Sequence, residues 1–256
     1  MKAFRSIVMI LPMAVAVGCG GYESPAGPEL PRPRRVVTGN GDVTSSVAEF
    51  RTVLGEPNNG AAAGSQPGGR REINWDGVPA NFTNNAAFPG DFFNTRSTRG
   101  IVFSTSGAGF RISDNSVADV EASYAQEFAF FSPRKTFLAE GSTVTEVSFQ
   151  VPGSLEPASV RGFGVVFSDV DRQGAATLEF FGRDGASLGR FEAPERVAGS
   201  SLSFLGVAFA DKVVTRVRIV SGRAALAPGV RDVSSGGSAD LVIMDDFFYD
   251  EPQLLR

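Results

Sequence analysis

The chain has 256 residues, 42% hydrophobic and 20% charged, with a formal charge of −4. That is enough apolar material for one sizeable core, and too little clustered basic charge for nucleic-acid binding. It holds no His and a single Cys, Cys19, which excludes the usual general base, a Ser–His nucleophile pair, the commonest transition-metal ligand and any disulfide within the chain.

Residues 1–18 read as a secretory signal peptide: Lys2 and Arg5 supply the positive start, and residues 7–17 form an apolar run too short to span a bilayer. The next stretch, Ala16 to Cys19, resembles the processing box of bacterial lipoproteins. That resemblance implies acylation of Cys19 and, with Gly20 rather than Asp after it, anchoring in the bacterial outer membrane. Secretion without lipid is the alternative. Residues 19–42 are rich in Pro and Gly without apolar periodicity, which predicts an extended tether that does not pack.

The domain proper is expected over residues 43–256, opening with a short helix. Ser46 and Glu49 have capping-box spacing, Val47, Phe50 and Leu54 share one face, and Gly55 is the stop. Residues 56–70 read as a long disordered loop. In the stretch 71–79, Ile73 and Trp75 fall on one face of a strand, with Asn74 and Asp76 on the other. Trp75 is then either core beside Ile73 or a platform on which a sugar stacks. The 22 Phe against one Trp and three Tyr favour core. The polar stretch 81–99 is a solvated loop or a ligand surface, and its candidate contacts, with Asp76, are Asn84, Asn85, Asp91 and Arg96.

Thirty Gly, 15 Pro and many short apolar runs predict an all-β domain, a sandwich of two antiparallel sheets. Residues 143–151 and 213–220 alternate as half-buried strands, and Asp184–Gly185 marks a hairpin. Residues 161–167 and 202–209 are apolar on both faces, as sandwich-core strands are, and their glycines leave room for another backbone to approach. Residues 239–252 are likewise apolar on both sides, which predicts a central strand. In a regular pleat Asp245 and Asp246 there point to opposite faces. Either they hold a cation such as Ca2+, which takes several oxygen ligands, or the strand ends and they are solvated. The acidic residues of 114–128, and Asp169 with Asp171, read as turn residues.

The succession "GFGVVFSDVD", "ATLEFFGRDGASLGRFEAP", "LSFLGVAFADKVVTRVRIV" and "VIMDDFFY" resembles the galactose-binding-like jelly-roll domains of bacterial exported proteins, including those with a PEP-CTERM tail. The resemblance implies a jelly roll of carbohydrate-binding-module type, with structural Ca2+ on Asp245 or Asp246. The function expected is a lipid-anchored, non-catalytic module that binds glycan or another envelope component. The other readings are a structural or protein-interaction lipoprotein and a carboxylate-based glycoside hydrolase or lyase.

Overall fold

A computed structural model describes residues 31–197 and 202–255, so the signal peptide and Cys19 lie outside the described residues. In chain order the strands are β1 (Pro33–Asn40), β2 (Arg70–Ile73), β3 (Asn85–Phe88), β4 (Ile101–Ser104), β5 (Gly109–Ser113), β6 (Thr136–Glu140), β7 (Val144–Phe149), β8 (Ala158–Ser159), β9 (Gly162–Ser168), β10 (Ala176–Phe181), β11 (Ser187–Glu192), β12 (Leu202–Phe209), β13 (Arg216–Ser221), β14 (Ile243–Asp250) and β15 (Gln253–Leu254). Helices α1 (Thr44–Leu54) and α2 (Phe92–Thr95) complete them.

Period-two sequence makes the two layers. The larger sheet runs β1-β12-β9-β14-β6-β5-β3, with β2 also paired to β14, and the smaller runs β11-β10-β13-β7-β4. The pairings between strands are antiparallel, and from β9 onward the chain passes back and forth between the sheets. In the smaller sheet Val147, Phe149, Val217 and Ile219 turn inward, while Arg216 and Arg218 stay outward and pair with Glu146. They meet Phe163, Val165, Phe167, Phe247 and Tyr249 from the larger sheet in one core. This is the predicted all-β sandwich with its N-terminal helix. All eight residues of β14 are buried, as apolar sequence on both sides requires of a central strand.

A second core lies between the larger sheet and α1, where Phe50 covers β9 and β12. Gly164 and Gly206 face each other in register beneath its ring, so the close approach predicted for these glycines is made by the neighbouring backbone, as at Gly206 Cα beside Gly164, and also by an aromatic side chain. A Cβ on Gly206 would lie 2.6 Å from that ring. Gly206→Ala is therefore expected to cost about 1–3 kcal/mol by overpacking, read as a lower urea midpoint at unchanged slope.

Three local expectations are corrected. The helix begins at Thr44, two residues before the predicted cap, so Ser46 and Glu49 lie inside it. Ser46 donates to the Thr38 carbonyl at 3.1 Å, Glu49 pairs with Arg35, and the first turn is met instead by Asp42, which accepts from the Thr44 amide at 3.0 Å. Residues 33–40, expected in the tether, form β1 and pair with β12 along its length. Residues 56–69, expected to be disordered, wrap a buried ion pair between Arg71 and Glu251, both fully shielded from solvent at 2.7 Å. Arg71 also donates to the carbonyls of Gly60, Ala62, Gly64 and Thr98, and Glu251 accepts from the Gln66 amide and Asn59. Composition favours disorder there, but a desolvated guanidinium needs carbonyl partners and the loop supplies them.

Candidate functional site

Trp75 is core. It is 1% exposed, stacks on Phe137 at 4.2 Å between ring centroids and donates its indole N–H to the Asp245 carbonyl at 2.7 Å. No face of the ring is open to a sugar, so it is not a stacking platform. β2 ends at Ile73, and Trp75 turns inward through a left-handed backbone with φ of 63°. Asp76 follows, half-buried, with its carboxyl raised by burial against the pull of Lys135.

The other candidates of residues 81–99 are spent on local structure. Asn84 donates to Asp114 at 2.7 Å, Asn85 donates to the carbonyls of Asn81 and Thr83, Asp91 precedes α2, and Arg96 lies 5.5 Å from the centre of the Phe82 ring. Beneath them Phe82, Phe88, Phe92 and Phe93 extend the aromatic cluster around Trp75.

Asp245 and Asp246 do not point to opposite faces. The register slips between Met244 and Phe247, a bulge that turns both carboxylates toward Ser132. The Ser132 hydroxyl lies 3.1 Å from Asp245 and 2.7 Å from Asp246, and the Phe131 amide donates to Asp245 at 2.8 Å. Burial raises both acids above the ordinary carboxylate range, and the Asp246 charge raises Asp245 further. Two carboxyls in contact, sharing a hydroxyl inside the protein, both favour the protonated form. Both are buried on one hydroxyl, which is not the arrangement of two acids set on either side of a glycosidic bond.

The carboxylates that converge on a cation-sized space lie elsewhere, at the end of the sheet where β9 exits and β14 begins. Asp169 and Asp171 follow β9, Asp232 and Asp240 belong to the connection between β13 and β14, and Glu127 ends a short 3-10 turn over residues 122–126. Ligand oxygens of Glu127, Asp169 and Asp232 lie within 4.8 Å of one another, as do those of Asp171, Asp232 and Asp240. Asp232 belongs to both groups.

Backbone amides shape the cluster. Those of Ser234 and Leu241 donate to Asp232, each at 2.7 Å, and that of Arg172 donates to Asp240 at 2.6 Å. One cation, Arg196, enters it, with Nε 2.9 Å from Asp169 and also paired with Asp171. One Oδ2 atom on each of Asp169 and Asp171 is buried without a hydrogen-bond partner. Burial, then the charges of Asp171 and Asp232, push Asp169 up to about 8, and burial pushes Asp240 up to about 6. Buried hard oxygen donors, negative charge beyond what one guanidinium offsets, and orphaned oxygens are what a metal ion satisfies. The residues fit such an ion.

Sequence reading assigned Glu127, Asp169 and Asp171 to turns and passed over Asp232 and Asp240, because the three chain segments that meet here lie roughly 40 to 110 residues apart and so carry no motif. The one local sign is Asp169 itself, which leaves β9 with φ of 71° and thereby turns its carboxyl into the cluster.

Beside Arg196 lies an open groove of about 500 Å³, lined by Thr38, Asn40, Gln173, Glu192, Glu195 and their neighbours. It offers hydroxyl, amide and carboxylate groups, and none of its described lining residues is aromatic.

No family model matches this chain, and no curated protein matches it. Among solved structures it is loosely similar to TmCBM61 in complex with β-1,4-galactotriose, with 12% identity and a TM-score of 0.28 over 66% of this chain and 94% of that one. It is as loosely similar to the enzymatically active domain of bacteriophage CBA120 tailspike protein 4, again with 12% identity and a TM-score of 0.28, over 64% of this chain and 21% of that one.

Proposed function

We propose that this chain is an exported module, anchored by acylation of Cys19, whose non-catalytic β-sandwich binds glycan and is held in its binding form by calcium. The observation that carries the reading is the cluster of Glu127, Asp169, Asp171, Asp232 and Asp240, with its two orphaned oxygens. Oxygen-only donors, without His or Cys, suit Ca2+ better than a transition metal.

The polar groove beside the cluster supports the glycan part. Its amides, acids and hydroxyls are the groups that bind sugar hydroxyls, and Arg196 belongs to both the groove and the cluster. The protein-interaction reading has less support. Among the described residues the exposed large apolar side chains are Val36, Leu155, Val197 and Leu254, spread across the sequence.

The test is a glycan array and isothermal titration on the full chain, in Ca2+ and in EDTA. Sugar binding that needs Ca2+ and is lost in Gln173→Ala and Asn40→Ala is expected. Heat from Ca2+ without binding of any glycan at millimolar concentration would remove the sugar and keep the ion.

A further inference from the structure

At the opposite end of the same sheet three arginines meet at one cavity. The register sets Pro33 against Phe209 and Ala208 against Gly162, whereas Asn40 and Ser168, beside the acidic cluster, pair with the far end of β12. At the Pro33 end a cavity of about 310 Å³ is lined by three arginines, Arg34, Arg35 and Arg161, over a floor of Val53, Ala208 and Phe209. We infer that this cavity is a binding site for a phosphate ester, which takes its anionic group on the three guanidiniums and its organic part on the apolar floor.

The backbone builds the site. Successive residues of a regular strand face opposite ways, but the pairing of β1 with β12 slips between Pro33 and Arg35, leaving Arg34 as the extra residue of a bulge. Arg34 and Arg35 therefore line the same cavity. Arg161 comes from the start of β9 and is held there by donating Nη2 to the carbonyls of Val53 and Leu54, at 2.8 and 2.7 Å, at the last turn of α1.

The arginines differ in how far their charge is met. Arg35 pairs with Glu49 on the surface, and Arg161 has Asp250 at 3.7 Å. The Arg34 guanidinium has no hydrogen-bond or ion-pair partner among the described residues. Three cations face one exposed acid and one already held by Lys212, which leaves positive charge over an apolar floor. A tetrahedral anion with three peripheral oxygens can engage three guanidiniums at once, whereas a planar carboxylate is served by one fork. The inference is independent of calcium or sugar at the other end.

The experiment is isothermal titration of the full chain in neutral detergent with inorganic phosphate, glycerol 3-phosphate and galacturonate. Saturable binding of glycerol 3-phosphate at about millimolar strength, tighter than inorganic phosphate and weakened by salt, is expected. The doubly substituted R34Q/R35Q, whose changes are on the surface, should lose at least about tenfold in affinity, and E49Q, which releases Arg35, should gain. Doping the micelles with phosphatidylglycerol identifies the source. Loss of the soluble ester's heat makes a lipid headgroup the occupant, and an unchanged titration makes it a soluble phosphate ester. No saturable heat, equal affinity in R34Q/R35Q, or tighter binding of galacturonate would overturn the assignment.

Discussion

Replacing Glu251 by Gln is expected to lower the unfolding free energy by about 3–5 kcal/mol, roughly 6–20 °C in melting temperature for a domain of this size. Arg71 and Glu251 are both fully buried, and neutralising one leaves the other desolvated and unpaired. Arg71→Met should cost at least as much, because it also withdraws the donor from four loop carbonyls between Gly60 and Thr98. For the same reason a Met pair at 71 and 251 should stay well below wild type, although an isolated buried ion pair can often be replaced by apolar residues without loss. Denaturant unfolding of the full chain measures all three. A Glu251→Gln protein within 1 kcal/mol of wild type would show that solvent reaches the pair.

The second large effect is linked to pH and calcium. Asp169 and Asp240 titrate in the fold at about 8 and about 6, and Asp171, Asp245 and Asp246 are raised as well, against the ordinary 3.8 of an unfolded Asp. Over this window the folded state keeps protons that the unfolded state has released. Stability therefore falls as pH rises from about 5 to 8, the reverse of a salt-bridged carboxylate. In EDTA the melting temperature should drop by several degrees across that range.

Calcium at a hundred times its dissociation constant adds about 2.7 kcal/mol, or about 5–10 °C. The gain should appear at pH 8 and fade at pH 5, where protons compete for the same oxygens. Asp169→Asn separates the two causes, and Asn tolerates the left-handed backbone at this position. It should melt higher than wild type in EDTA at pH 8 and lose the calcium gain. Scanning calorimetry that shows a flat pH profile and no response to Ca2+ would sink the site.

Much of the sandwich was legible because each strand reports its own surroundings. Alternation at Val147 and Phe149, or at Val217 and Ile219, needs nothing beyond a two-residue period, and the double-sided apolar run from Leu241 to Tyr249 could only be central. Asp245 and Asp246 were misread where the pleat breaks, since a bulge is a property of two paired strands and leaves no mark in one. The loop after Gly55 failed for a related reason. Its order depends on Arg71 meeting an acid 180 positions away. Of the candidate site, Asp169 and Asp171 were noticed and dismissed, because their partners lie in other connections and the strand order that gathers them is a matter of topology.

The position of β14 bears on how the protein is made. It pairs with residues 163–168, with Phe137 and with residues 70–73, so the middle of the larger sheet is missing until residue 250 is available. A nascent chain short of that point can pair β9 with β12 and β10 with β13, yet it leaves β9 with an unfilled edge and no partner for β2. Assembly of such distant segments is slow. That delay would keep the polypeptide loose and open to proteases until its last long strand is made.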